Sequence, residues 1–197
     1  MRKPISITGI VLAGGSSSRF GSNKMVADYQ GRPLLFHAIG SVSSVADQIV
    51  LVLAPRATVP GDLPSGVRIA RDEEAYGGPL RGLAAGLAGV TTDLALVAGG
   101  DMPRLSPTVL RKMCRTIESS DADAVALLEG AQRRPMPLVL RTRVRAGVDD
   151  ALDRGERSLR GFLDAVRVTE IPEETWRKSD PDGGTLLDVD RPGDLPE

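Results

Sequence analysis

The chain holds one cysteine, Cys114, and one histidine, His37. A lone cysteine closes no internal disulfide, and one residue of each kind is too few for a His/Cys zinc cage. Such usage fits a reducing cytoplasm. A charge excess is also missing, because 25 basic side chains against 26 acidic ones leave a formal net charge of -1. No global field then gathers nucleic acid or an anionic membrane, and any anion site must be local. No stretch approaches the ~20 apolar residues of a membrane span. Arg2 and Lys3 ahead of "ISITGIVLAGG" imitate the start of a secretion leader. Ser6, Thr8 and Gly9 interrupt that run, however, and it reads better as the first strand of a sheet.

With 41% hydrophobic and 26% charged residues, 197 residues suit one domain, 1–197, with a substantial core. Unbroken apolar runs recur at "ISITGIVLA", "QIVLVLA", "LALVAG" and "DAVALLE". Runs without alternation suit parallel strands buried on both faces. Between them lie segments of helical period: Leu34, Leu35, Ala38, Ile39 and Val42, then Leu80, Leu83, Ala84 and Leu87. In "SPTVLRKMCRTI", Ser106 reads as an N-cap, Pro107 as the first helical residue, and Leu110, Met113, Cys114 and Ile117 as a core stripe. "RVRAGVDDALDRG" and "SLRGFLDAV" read as further helices. "RPMPLVLR" reads as an edge strand, since Pro135 and Pro137 donate nothing to a ladder, and "LLDVD" as a last strand. Strands alternating with helices predict an α/β fold: a three-layer α/β/α sandwich on a mostly parallel, Rossmann-like sheet. Ligands in that architecture sit beyond the carboxyl ends of the strands.

The segment "LAGGSSSRFGSNK" follows the first run. Gly14 and Gly15 allow a sharp turn and a close backbone approach, while their N–H groups and the hydroxyls of Ser16, Ser17 and Ser18 are donors suited to an anion. Arg19 adds a planar fork for phosphate oxygens and Lys24 a compact charge, a combination that suits a triphosphate. The spacing matches neither the Walker loop nor G-x-G-x-x-G. The competing reading is a surface turn rich in glycine and serine. In "LALVAGGDMP", Asp101 follows a buried run, where a carboxylate either holds Mg²⁺ against phosphates or merely caps the strand. His37 reads as a packed helix residue.

"LAGGSSSRFGSNK", "GRPLL", "GGPLRGL", "GGDMP" and "LLDVDRPGDL", in this order along nearly the whole chain, resemble the molybdenum cofactor guanylyltransferase (MobA-like) family of nucleotidyltransferases. The first of these is specific for the superfamily, and the others support it together. The resemblance implies the nucleotide-diphospho-sugar transferase fold and a Mg²⁺-dependent transfer of GMP from GTP to a phosphorylated acceptor of the molybdopterin type. It implies neither nucleic acid nor membrane as partner, and it is compatible with docking on molybdenum-cofactor proteins. By the same resemblance Leu12, Ala13, Gly14, Gly15 and Ser16 lie against the nucleotide. Arg19 and Lys24 serve its phosphates, Asp72 is the nearest match to an acid that touches the nucleoside, and Asp101 holds the metal. Where relatives carry asparagines in the closing segment, this chain has Asp188 and Asp190. Asp190 either completes the metal site or ends a strand. For the acceptor, "EGAQRRPMP" places Gln132, Arg133 and Arg134 in a polar loop, and "DRGERSL" places Arg157 and Ser158 at a helix start. The rival readings are a cytidylyltransferase of the same cofactor, a phospholactate or sugar-phosphate nucleotidyltransferase, and a nucleotide-binding protein without turnover.

Overall fold

A computed structural model describes residues 6–14, 24–72 and 77–194. Its strands in chain order are β1 (Ile7–Ala13), β2 (Asp28–Tyr29), β3 (Arg32–Pro33), β4 (Gln48–Leu53), β5 (Val67–Arg71), β6 (Leu94–Gly99), β7 (Ala124–Glu129), β8 (Gln132–Arg141) and β9 (Val168–Ile171). The helices are α1 (Leu34–Ser43), α2 (Pro79–Ala88), α3 (Pro107–Glu118), α4 (Arg145–Asp153), α5 (Leu159–Asp164) and α6 (Glu173–Trp176). Seven strands form one sheet in the order β5-β4-β1-β6-β8-β7-β9, and β2 with β3 makes a small hairpin. The pairs β1/β4, β1/β6, β4/β5 and β7/β9 are parallel, while β8 runs antiparallel to both its neighbours.

Alternate residues of each central strand enter two separate cores. Val11, Ala13, Leu51, Leu53, Leu96 and Ala98 pack toward α1 and α3. Ile10, Val50, Val52, Ala95 and Val97 pack toward α2, α4 and α5. Both faces are therefore apolar, which is why the strands show no polar alternation. The three-layer α/β/α arrangement on a mostly parallel sheet is the one expected.

Three local expectations are corrected. The "RPMPLVLR" strand is interior, between β6 and β7, rather than at an edge. Its prolines are tolerated because Ala126 pairs with Leu138 and Leu127 with Arg134, so residues 135–137 fall in a bulge without ladder partners. Pairing with β6 likewise stops at Leu138. By the same ladder, Gln132, Arg133 and Arg134 lie in β8 and not in a loop. The "LLDVD" segment forms no strand: a 3-10 turn at Gly184–Leu186 leads into an irregular stretch whose Val189 N–H donates to the Asp101 carbonyl at 3.0 Å. Ser106 does hold the N-cap position of α3, and Pro107 follows at the start of the helix. No side-chain cap bond forms there, and the Ser106 N–H donates to Thr185 Oγ1 at 3.1 Å.

Met113 and Cys114 are core residues as expected, and burial, then the nearby Glu118 charge, push the Cys114 thiol up to about 12. His37 Nε2 lies 2.7 Å from the Tyr29 carbonyl, which ties α1 to the hairpin. Among the described residues no helix is long and apolar enough to cross a membrane.

Candidate active site

A cavity of about 320 Å³ opens at the carboxyl ends of β1, β4 and β6, lined among others by Leu12, Gly14, Lys24, Val52, Asp72, Gly78, Gly82, Asp101 and Met136. Strand periodicity decides which end of "LAG" can face it. Leu12 points to the α2 side and lines the cavity, whereas Ala13 is buried in the opposite core. Gly15, Ser16 and Arg19 lie outside the described residues. Lys24 opens a 3-10 turn, Lys24–Val26.

Lys24 is the electrostatic centre of the cavity. Its Nζ donates to Asp101 Oδ2 at 2.6 Å and to Asp190 Oδ1 at 3.1 Å. The Lys24 side chain is only 8% exposed, against 19% for Asp101 and 51% for Asp190, so the cation is covered while its acceptors remain reachable. Burial works to lower the affinity of this amine for its proton. The Asp101 charge and hydrogen bond, with help from Asp190, outweigh burial and hold the pKa above that of an ordinary lysine.

Local backbone explains how Asp101 arrives. Strand β6 ends in Gly99, and a Cβ there would collide with Asp101 Oδ1, so the glycine leaves room for the carboxylate to fold back over the strand end. The Gly100 N–H donates to the Leu12 carbonyl at 2.9 Å and couples this turn to β1. Asp190 comes from the closing segment, tied to the same turn through Val189.

Asp188 sits in the same field. Burial first, then the Asp101 and Asp190 charges, raise its carboxyl above the usual value, with Arg134 acting the other way. Arg134 Nη2 stands 3.7 Å from Asp188 Oδ1, and its Nη1 3.2 Å from Glu129 Oε2. The reversed direction of β8 brings Arg134 to the cavity end of the sheet.

A divalent ion of the Mg²⁺ type fits this donor set. Asp101 and Asp190 already converge on one cation, the Lys24 ammonium, and offer the hard oxygens such an ion prefers. Among the described residues no three His, Cys, Asp or Glu side chains are grouped to hold a metal. Mg²⁺ is commonly held by one or two carboxylates together with substrate phosphates.

The other expected residues separate. Asp72, just beyond β5, lines the cavity. Arg133 is directed elsewhere, to Glu170 Oε1 at 2.7 Å and Asp164 Oδ1 at 2.9 Å. The Arg157 guanidinium donates to the Leu152 and Glu156 carbonyls, both at 2.9 Å. Ser158 Oγ caps α5 by accepting from Gly161 N–H at 3.0 Å. Among Arg133, Arg134, Arg157 and Ser158, it is Arg134 that stands beside a carboxylate of the cavity, Asp188. The backbone of Arg157 nevertheless shapes the cavity, since its carbonyl accepts from Leu80 N–H at 3.2 Å and lies against Gly78. Gly78 has φ +84°, a left-handed conformation that suits glycine. Residue-by-residue reading missed Gly78, Gly82, Val52 and Met136 as lining residues. The first two stand in the quoted "GGPLRGL", whereas Val52 and Met136 carry no signal beyond being apolar.

Comparison with known proteins places the chain in a family. Residues 9–169 match the family model of the MobA-like NTP transferase domain. The molybdenum cofactor guanylyltransferase of Burkholderia ambifaria is 33% identical over 175 residues, 84% of this chain and 85% of that protein. The enzyme of the same name from Shewanella frigidimarina is 29% identical over 154 residues, 78% of each chain. The crystal structure of molybdopterin-guanine dinucleotide biosynthesis protein A from Archaeoglobus fulgidus superposes with a TM-score of 0.79 at 22% identity, covering 95% of this chain and 94% of that one. With its cavity at the end of β1 and a family match over most of its length, the chain belongs to the MobA-like NTP transferases.

Proposed function

We propose that the cavity binds GTP and that the protein transfers GMP to a phosphate-bearing acceptor of the molybdopterin type, releasing pyrophosphate. The observation that carries this reading is the Lys24 ammonium, held by Asp101 and Asp190, in the lining of a cavity at the end of β1. Family membership and the names of the guanylyltransferase relatives support the choice of base and acceptor.

An acceptor phosphate oxygen attacks the α-phosphorus in line, the bond from that phosphorus to the bridging oxygen breaks, and pyrophosphate departs with the electron pair. A phosphate nucleophile is already ionised near neutral pH, so the chain needs no general base, and its work is alignment and charge neutralisation. In this scheme Leu12, Gly14 and Gly82 border the nucleoside, and Lys24, with Arg19 from the preceding segment of the sequence, offsets charge growing on the departing pyrophosphate. Arg134 meets the acceptor phosphate as a planar fork. Magnesium, when bound through Asp101 and Asp190, supplies charge neutralisation and Lewis-acid polarisation at the phosphate oxygens.

The test is pyrophosphate release with each nucleoside triphosphate, Mg²⁺ and phosphorylated acceptors. GTP is expected to be preferred, and Asp101→Ala to lower the rate by about 10²-fold or more in a variant that still folds. A clear preference for CTP would overturn the guanylyl assignment. Unchanged release by Asp101→Ala would overturn the metal assignment.

A further inference from the structure

Lys24 occupies the ground that a metal needs. Its Nζ lies within hydrogen-bond distance of one oxygen on Asp101 and one on Asp190, the two carboxylates that would hold the divalent ion. A small divalent ion binds oxygen at about 2.1 Å and would sit among these same lone pairs, so two cations would be forced together in a largely covered place. The backbone does not yield readily. The Lys24 carbonyl accepts from Ala27 N–H at 3.1 Å, and the adjoining Met25 is buried, with its sulfur against Gly100. The adjustable part is the Lys24 side chain, whose four-carbon stem lets the ammonium turn while its Cα stays fixed.

We propose that Lys24 is an internal cation that keeps Asp101 and Asp190 closed to divalent metal until the phosphates of a nucleotide draw it away, so that metal enters only with the nucleotide or after it. This rests on the reading of the cavity as a nucleotide site. A triphosphate offers the ammonium a partner with more charge than two carboxylates and adds its own oxygens to the vacated ones. Free protein then carries no metal poised without substrate, and the metal and the nucleotide each strengthen the binding of the other.

Mn²⁺ titration of the full chain followed by electron paramagnetic resonance tests this without turnover. Free wild-type protein is expected to bind Mn²⁺ weakly, and Lys24→Met to bind it about tenfold more tightly or better. Arg134→Met, which removes a cation beside Asp188 without vacating the Asp101–Asp190 position, is expected to leave Mn²⁺ affinity within about twofold. Lys24→Gln repeats the measurement if the methionine variant fails to fold. Wild-type binding as tight as that of the lysine variants overturns the proposal, and so does an equal gain in Arg134→Met, which would reveal a general charge effect. Both results leave the nucleotide reading standing. Calorimetry with GTP covers that reading separately: GTP is expected to bind the wild type with Mg²⁺ present and, more weakly, in EDTA, and no binding in either condition would remove the nucleotide reading and this inference together.

Discussion

A single carboxylate shows how the cavity trades stability for charge. Asp188 is held above the ordinary carboxylate pKa, first by burial and then by Asp101 and Asp190, so its ionised form is disfavoured in the fold. For an acid raised in this way the folded state is favoured most below the unfolded value near pH 4, and that advantage is lost as pH rises through the folded value. Asp188→Asn is therefore expected to raise the Tm at pH 7 by about 1–2 °C, a small gain because the side chain is half-exposed. The gain should vanish as pH falls toward about 4, which thermal melts at both pH values would check. A wild-type Tm equal to that of the variant at pH 7 would contradict the account. The neighbouring Lys24 and Asp101 stand 77 positions apart in sequence, and their spacing alone says nothing of a 2.6 Å contact. Each was legible as a residue with chemistry, from its place after a glycine-rich or apolar segment. Their contact is a product of the parallel pairing of β1 with β6.

Helix α2 separates two demands made of glycine. A Cβ on Gly86 would lie 2.6 Å from Ile10 Cγ2 in a strand residue with no exposure. Gly86→Ala gains about 1 kcal/mol of helix propensity but overpacks a closed core by about 1–3 kcal/mol, so Tm should fall by about 2–4 °C. A Cβ on Gly82 meets Leu12 Cδ2 at 3.4 Å, an ordinary contact. Gly82→Ala should raise Tm by about 2 °C while weakening nucleotide binding about tenfold, because Gly82, Leu12 and Val52 all line the cavity. Melts paired with GTP calorimetry would show the two variants moving in opposite directions in stability. The same contrast marks what could be read in advance. Strands β1, β4, β6 and β7 and helices α1–α5 announce themselves through apolar runs or helical period. The place of β8 does not, because a proline pair reads locally as an edge signal and only the bulge opposite Ala126 and Leu127 makes it compatible with the interior. The closing segment misled for a related reason: its apolar residues, Leu186 and Val189, are buried, but by a turn and a single backbone bond and not by a ladder.

Across the whole molecule, a charged cluster sits at the end of the sheet opposite the cavity. Away from the cavity, Asp123 precedes β7 and joins Arg143 Nη2 at 2.8 Å and Arg167 Nε at 3.2 Å. Its backbone N–H also bonds to the Arg167 carbonyl, and its carbonyl accepts from Arg141 N–H, so the starts of β7 and β9 and the end of β8 meet there. The side-chain bond from Arg167 leads in holding the Asp123 carboxyl below its usual value. Its contribution is complete above about pH 4 and disappears as pH falls through the lowered folded value. Asp123→Asn is expected to lower Tm by about 2–4 °C at pH 7, to converge with wild type in strong acid, and to leave GTP affinity unchanged. Altered GTP affinity would show that the two ends of the sheet are coupled.

The closing segment carries one more consequence. The last sheet strand ends at Ile171, yet Asp190 reaches back to Lys24 across 166 positions. During synthesis on the ribosome, every strand is available before the second carboxylate has emerged. A chain ending at Val189 would keep the sheet and the buried Trp176, Leu186 and Val189 and lose only the second grip on the cation, a failure by silence and not by misdirected chemistry.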